Sequence, residues 1–293
     1  MDHRDAVAPE ENERVLAANL LLLDGAHRAL QALRAVGIRA AAEKGAALLL
    51  SVYTGEEDSR AMDDVDLVVE PGALPRAISV LERRLGLRRI PDSGFELGTP
   101  SGAPGHGVLR IDLHDRLHHG GARSAREALA RAASVSWGDR RVEILEPTDH
   151  LLEIVAHAVL HHGRLREKEA EDLRRLAALV NGRELRRRAA RAGLLVPLSV
   201  ALERAQGARI APEVDRLLRA LPPLGASASL MAHLLRRRLT SHAPPGRFHL
   251  IVSPCYRPPA EALGHLARRA WLGPDVALQR EAGLRPPARP AGG

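Results

Sequence analysis

The chain has 293 residues, 45% of them apolar and only 2% aromatic, with a formal charge of +7 and a pI near 10.7. That length accommodates about two domains, and their cores must be aliphatic. The single cysteine, Cys255, excludes an internal disulfide framework, and no apolar run approaches the roughly 20 residues that span a bilayer. The N-terminal stretch from Met1 to Glu13 is polar and partly acidic, unlike a signal peptide, so the expected location is the cytoplasm. The basic residues are scattered along helices and mixed with acids, which reads as solvated surface. A nucleic-acid partner is possible on charge alone but is not favoured, because aromatic stacking residues are scarce and no reading motif appears.

In chain order, residues from about Glu11 to Val36 carry apolar positions at helical spacing, and Gly37 ends that helix. Ile38 to Ala42 reads as a short extended segment. The run Glu43-Lys44-Gly45-Ala46-Ala47 then leads into a helix expected over Gly45 to Tyr53. A polar loop, Thr54 to Asp63, precedes a strand over Asp64 to Val69. Leu74 to Leu85 is helical, and Leu87 to Ile90 forms a short strand. Pro91 to Gly107, rich in Gly, Pro and Ser, reads as a loop. Val108 to His114 is a strand, Ser124 to Ala133 a helix, and Val135 to Leu145 a hairpin around Gly138-Asp139.

After Pro147 only helices are expected: Asp149 to His161, Glu167 to Val180, Glu184 to Arg191, Pro197 to Ala205, Pro212 to Leu221, Ser227 to Leu239 and Pro259 to Trp271. The tail from Arg285 has a disordered composition. The expected organisation is therefore an α+β domain over 1–146, an α-helical domain over 147–284 and a tail over 285–293.

The chemistry concentrates in the first part. Asp64 and Asp66 sit two apart on a strand, so both project from one face while Val65 and Leu67 take the other. Paired carboxylates of this kind suit a hard divalent cation. Asp112, between Ile111 and Leu113, is a candidate third ligand, and three carboxylates can hold two magnesium ions. Lys44-Gly45 opens a helix, where free amide hydrogens and the dipole favour a phosphate. Only Lys44 and Lys168 are lysines among 43 basic residues, which marks Lys44 as a chosen ammonium. Arg60 is placed to reach a phosphate, Asp112 to act as general base, and His114, on the strand face of Asp112, to touch substrate.

The run Lys44-Gly45-Ala46-Ala47, with Tyr53, Arg60 and Asp64-Val-Asp66-Leu67, resembles the bacterial nucleotidyltransferase family of the polymerase-β superfamily, in its uncharacterised branch. Ile111-Asp112-Leu113-His114 is similar to a later strand of that branch, and Thr148 to His162 with Asp172-Leu173 to its His-rich helix and Asp-Leu pair. The resemblance implies a mixed-sheet nucleotidyltransferase core flanked by helices, followed by an α-helical domain. It also implies a nucleoside triphosphate donor (ATP foremost) and magnesium. It places metal ligands at Asp64, Asp66 and Asp112, and phosphate binding at Lys44 and Gly45. The superfamily's Gly-Ser pair is Gly45-Ala46 here, so no serine hydroxyl serves the triphosphate.

The activity implied is transfer of a nucleoside monophosphate to an acceptor hydroxyl with release of pyrophosphate. The acceptor is a small molecule, a peptide or protein side chain, or an RNA end. The alternative is a catalytically silent module of the same fold, serving in a toxin–antitoxin pair or a biosynthetic complex. Two histidine pairs, His114/His118 and His157/His161, have i, i+4 spacing. Neither comes with a visible third protein ligand, so packing or an acceptor pocket is preferred to zinc. Cys255 has no visible catalytic partner.

Overall fold

The computed structural model of the chain describes residues 9–90, 96–99, 109–118, 120–207 and 211–240, all within one compact unit that runs to Thr240. Most of the expected loop over 91–107, the helix expected over 259–271, Cys255 and the tail lie outside the described residues.

Helix α1 (Pro9–Arg34) has Glu10 and Glu11 in its first turn and Arg34 in its last, both favourable to the helix dipole. Strand β1 (Ala40–Glu43) runs directly into the short helix α2 (Lys44–Leu49). Strand β2 (Val65–Val69) is buried along its whole length, as expected of a central strand. Helix α3 (Leu74–Leu85) matches its expected bounds. Strands β3 (Arg88–Arg89), β4 (Glu96–Gly98) and β5 (Arg110–His114) follow, then helix α4 (Gly121–Arg131). β4 corrects the expectation of a continuous loop. Glu-Leu-Gly has no strand pattern of its own, but it pairs antiparallel with both β3 and β5, so its neighbours define it. Strands β6 (Ala133–Trp137) and β7 (Arg140–Ile144) form the expected hairpin. Gly138, the first residue of its two-residue turn, takes a positive φ of 60°.

The seven strands form one mixed sheet in the order β3-β4-β5-β2-β1-β7-β6. β2 and β5 are parallel, as are β1 and β7, and the other neighbours are antiparallel. Gly25 of α1 lies against Leu109, which shares its strand face with Ile111 and Leu113, so α1 covers that side. On the opposite face Ala41 and Val68 pack with Ala125, Ala128 and Leu129 of α4. α4 covers only part of that face, and the polar residues cluster beyond it.

The chain then turns all helical: α5 (Pro147–Val155), continued by a π-helical segment Ala156–His161, then α6 (Glu167–Leu179), α7 (Gly182–Arg191), α8 (Leu195–Gln206), α9 (Pro212–Ala220) and α10 (Ala226–Thr240). Ion pairs to one buried carboxylate join these helices to α4. Asp149 on α5 takes a two-point contact from Arg131 of α4 and a third from Arg188 of α7 at 3.0 Å. Among the described residues no helix is long and apolar enough to cross a membrane.

Candidate functional site

The register of three central strands builds the site. Glu43 on β1 pairs with Asp66 on β2, and Asp66 pairs with Asp112 on β5. Directly paired residues project to the same side, so three carboxylates stand in a row across the sheet. Asp64 and His114 lie two residues from Asp66 and Asp112 on the same face. Val65 and Leu67, on the opposite face, are buried.

His114 Nε2 lies 3.1 Å from Asp112 Oδ2, 3.6 Å from Asp66 Oδ1 and 3.8 Å from Glu43 Oε1. One ligand atom each from Glu43, Asp66 and His114 lie within 4.8 Å of one another, a span one cation can bridge. Lys44 Nζ donates to Asp66 Oδ1 at 2.6 Å. Glu43 is fully buried, and neither of its oxygens has a hydrogen-bond partner among the described residues.

Electrostatics follow from crowding acids in a partly dry site. Burial, with Asp66 nearby, pushes the Glu43 carboxyl up to about 8 despite the cations of His114 and Lys44. Burial and the Asp66 charge raise Asp64 to about 6. Burial also opposes ionisation of Asp66, but Lys44 and His114 outweigh it and hold its carboxyl well below the usual range. His114 is likewise opposed by burial yet raised well above the ordinary imidazole value, mainly by Asp112 and then Asp66. The acids are thus balanced by two protein cations gathered where a metal ion would sit.

Lys44 itself has a φ of 47°, the only positive φ among the described non-glycine residues. A lysine held there is strained and persists because its surroundings fix it. The strain turns the chain from β1 into α2 and aims the ammonium at Asp66.

Of the residues expected at the phosphate, Arg60 is paired with a carboxylate and Gly45 is closely packed. Arg60 forms a two-point pair with Asp172 of α6, Nε to Oδ1 at 2.8 Å and Nη2 to Oδ2 at 2.9 Å, and is 8% exposed. Tyr53 donates to the same Asp172 Oδ1 at 2.9 Å. Gly45 is buried, and a Cβ there would meet Met62 Cγ and Sδ at 2.8 Å and Arg60 Nη1 at 3.2 Å. Its lack of a side chain serves close packing. Gly45→Ala is expected to lower unfolding free energy by about 1–3 kcal/mol, the usual cost of overpacking, read as a fall in urea midpoint at unchanged slope.

Glu43 is the site residue that sequence reasoning missed. Its signal was present: an acid closing an alanine-rich strand immediately before Lys44. Asn19 was also missed. It is fully buried on α1, donates to the carbonyls of Glu57 and Arg60 at 2.5 and 2.9 Å, and accepts from the Met62 amide at 3.0 Å. It fixes the loop that delivers Asp64. Glu56 of that loop pairs with Arg175 at 2.9 Å.

Residues 9–207 match the family described as uncharacterised nucleotidyltransferases. The chain belongs to that family. The match takes in every strand, Lys44, the acidic row and the helices through α8. Among solved structures, an antigenic nucleotidyltransferase-like protein from Paracoccidioides brasiliensis is similar at 16% identity and a TM-score of 0.46, covering 75% of this chain and 97% of that one. No curated protein matches. Family and sheet together agree with the expected fold, a mixed sheet flanked by helices, and with a general role in nucleotidyl transfer.

Proposed function

We propose that the protein is a magnesium-dependent nucleotidyltransferase that moves a nucleoside monophosphate from an NTP, ATP foremost, to an acceptor hydroxyl. The observation that carries this reading is Glu43. A fully buried carboxyl with no hydrogen-bond partner resists ionisation, and a hard divalent cation held jointly with Asp66 would offset that cost. Asp112, next in the row, and Asp64, at its edge, complete an oxygen-rich set that suits magnesium. When bound, magnesium would screen the triphosphate charge and make the acceptor hydroxyl easier to deprotonate.

The side chains divide the remaining work. Lys44, released from Asp66, holds a phosphate oxygen as a compact cation. Asp112, more exposed than Asp66, accepts the proton of the acceptor hydroxyl. The acceptor oxygen bonds to the α-phosphorus, the bond from that phosphorus to the bridging oxygen breaks, and pyrophosphate leaves. The acceptor is a small hydroxylated molecule, a peptide or protein side chain, or an RNA end.

The test is incubation with labelled NTPs and a panel of acceptors. Transfer and pyrophosphate release are expected with magnesium, abolished by EDTA and restored by excess magnesium. Absence of any metal-dependent nucleotide binding or transfer would sink the reading. Metal-dependent binding without turnover across the panel would favour a silent module.

A further inference from the structure

Beside the acidic row stands an imidazole–carboxylate pair that the proposed reaction does not yet use. His118 follows β5, and Glu153 lies fully buried on α5. The His118 ring contacts Glu153 Oε1 through Nδ1, and the His118 amide donates to Oε1 and Oε2 at 3.1 and 3.0 Å. Backbone and ring are therefore held by the same carboxylate. Against a carboxylate Nδ1 is the donor, so Nε2 is the nitrogen that remains for a substrate. The His118 side chain is 22% exposed, open enough to be reached. An imidazole fixed in this way can move a proton at Nε2, while the carboxylate steadies the ring and its charged form.

The pair adjoins the row on its Lys44 side. The His118 and His114 rings are 6.0 Å apart, and His114 Nε2 is in turn 3.1 Å from Asp112 Oδ2. The Glu153 charge acts on both Glu43 and Lys44. His157 packs edge-on to His118, with ring centroids 4.9 Å apart. Burial, then the Lys44 charge, holds His157 far below the ordinary imidazole value, so it adds no like charge beside His118. Of the three residues expected at the phosphate, Arg60 is committed to Asp172 and Gly45 has no side chain, which leaves Lys44. Asp112 takes the proton of the acceptor and Lys44 holds a phosphate oxygen. The leaving oxygen is the reacting atom with no proton donor assigned.

We propose that His118 Nε2 gives its proton to the pyrophosphate as it leaves, with Glu153 as the positioning residue on Nδ1. This rests on the proposed nucleotidyl transfer and names the group that serves its departing half. The acceptor oxygen forms its bond to the α-phosphorus and loses its proton to Asp112. The bond from that phosphorus to the bridging oxygen breaks, its electron pair stays on that oxygen, and the Nε2 proton follows. One proton is taken and one is given, so Asp112 then releases a proton to solvent and His118 regains one. Glu153 keeps the ring in place and steadies its charged form before the transfer.

The test varies the leaving group and keeps the α-phosphorus. The full chain is given magnesium, concentrated glycerol as a plain hydroxyl acceptor, and ATP or its β,γ-CH2 and β,γ-CF2 analogues. The CH2 leaving group is more basic than pyrophosphate and the CF2 one less. In single-turnover rates the wild type should respond weakly to that basicity, because the transferred proton offsets it. His118→Gln should lose about 100- to 10,000-fold with ATP, more with the CH2 donor and least with the CF2 donor. Glu153→Gln should steepen the dependence in the same direction by a smaller amount, and it supplies the reading where His118→Gln is too slow to measure. Each slope is a ratio of rates within one preparation, so a partly folded variant still gives a valid result. An equal loss with all three donors, as a structural or acceptor-side role would give, overturns the proposal and leaves nucleotidyl transfer standing. So do unchanged rates in His118→Gln. A wild-type chain that releases no pyrophosphate from ATP overturns it together with the proposed function.

Discussion

Asp66→Asn is expected to lower nucleotidyl transfer by about three orders of magnitude or more while leaving the fold intact. Asp66 is the middle carboxylate of the row, paired in register with Glu43 on one side and Asp112 on the other. It is also the acid that stays ionised most firmly, because Lys44 and His114 both favour its charge. A metal ion held there contributes several kcal/mol of charge stabilisation, and each 1.4 kcal/mol is about tenfold in rate. Asparagine keeps the shape and one acceptor oxygen for Lys44 but not the charge, so the melting temperature should fall while the chain stays folded. Glu43→Gln is expected to have the same sign at smaller size. Asp64→Asn, at the edge of the row, should cost least. Magnesium binding by calorimetry and initial transfer rates read all three. Wild-type rates in Asp66→Asn and Glu43→Gln would remove the acidic row from the mechanism.

The acidic strand was legible because strand periodicity alone places Asp64 and Asp66 on one face, although β2 begins one residue later, at Val65. Asp112 was legible as an acid set between apolar neighbours. Glu43 was not, because its role comes from a long-range register: it matters only once β1 lies antiparallel to β2 with Glu43 opposite Asp66. Arg60 was read as a phosphate ligand because it precedes the acidic strand. Its partner, Asp172, is 112 residues away, and no local pattern announces a buried pair at that separation. β4 was hidden for a similar reason, being held by two neighbours rather than by its own three residues. The histidines were visible as pairs, but the packing of His118 from one pair against His157 and His161 of the other was not. A π-type hydrogen bond, which sequence spacing does not reveal, brings His162 over His157.

Asp172→Ala is expected to cost about 3–5 kcal/mol of unfolding free energy, a large share of the 5–15 kcal/mol typical of a domain. The substitution leaves the Arg60 guanidinium, 8% exposed, without its carboxylate, and leaves the Tyr53 hydroxyl without its acceptor. Burial opposes the charge on Arg60, and the hydrogen bonds and charge of Asp172 are what overcome that opposition. Tyr53→Phe removes only one neutral donor and should cost about 1 kcal/mol. Asp172→Asn, which keeps acceptor oxygen but not charge, should fall between the two. Urea unfolding orders the three variants, and an Asp172→Ala chain within 1 kcal/mol of wild type would contradict the argument, since about that much is lost with one ordinary hydrogen bond alone. The pair also joins the loop before β2 to α6, so Asp172→Ala should slow transfer although Asp172 bears on Asp64 only through Arg60 and its loop. Replacing both partners by apolar residues tests this division. Arg60→Met with Asp172→Leu removes the uncompensated charge and should recover most of the stability. If it also recovers activity, the pair serves the fold alone. If stability returns and activity does not, the guanidinium itself contributes to setting the acidic strand.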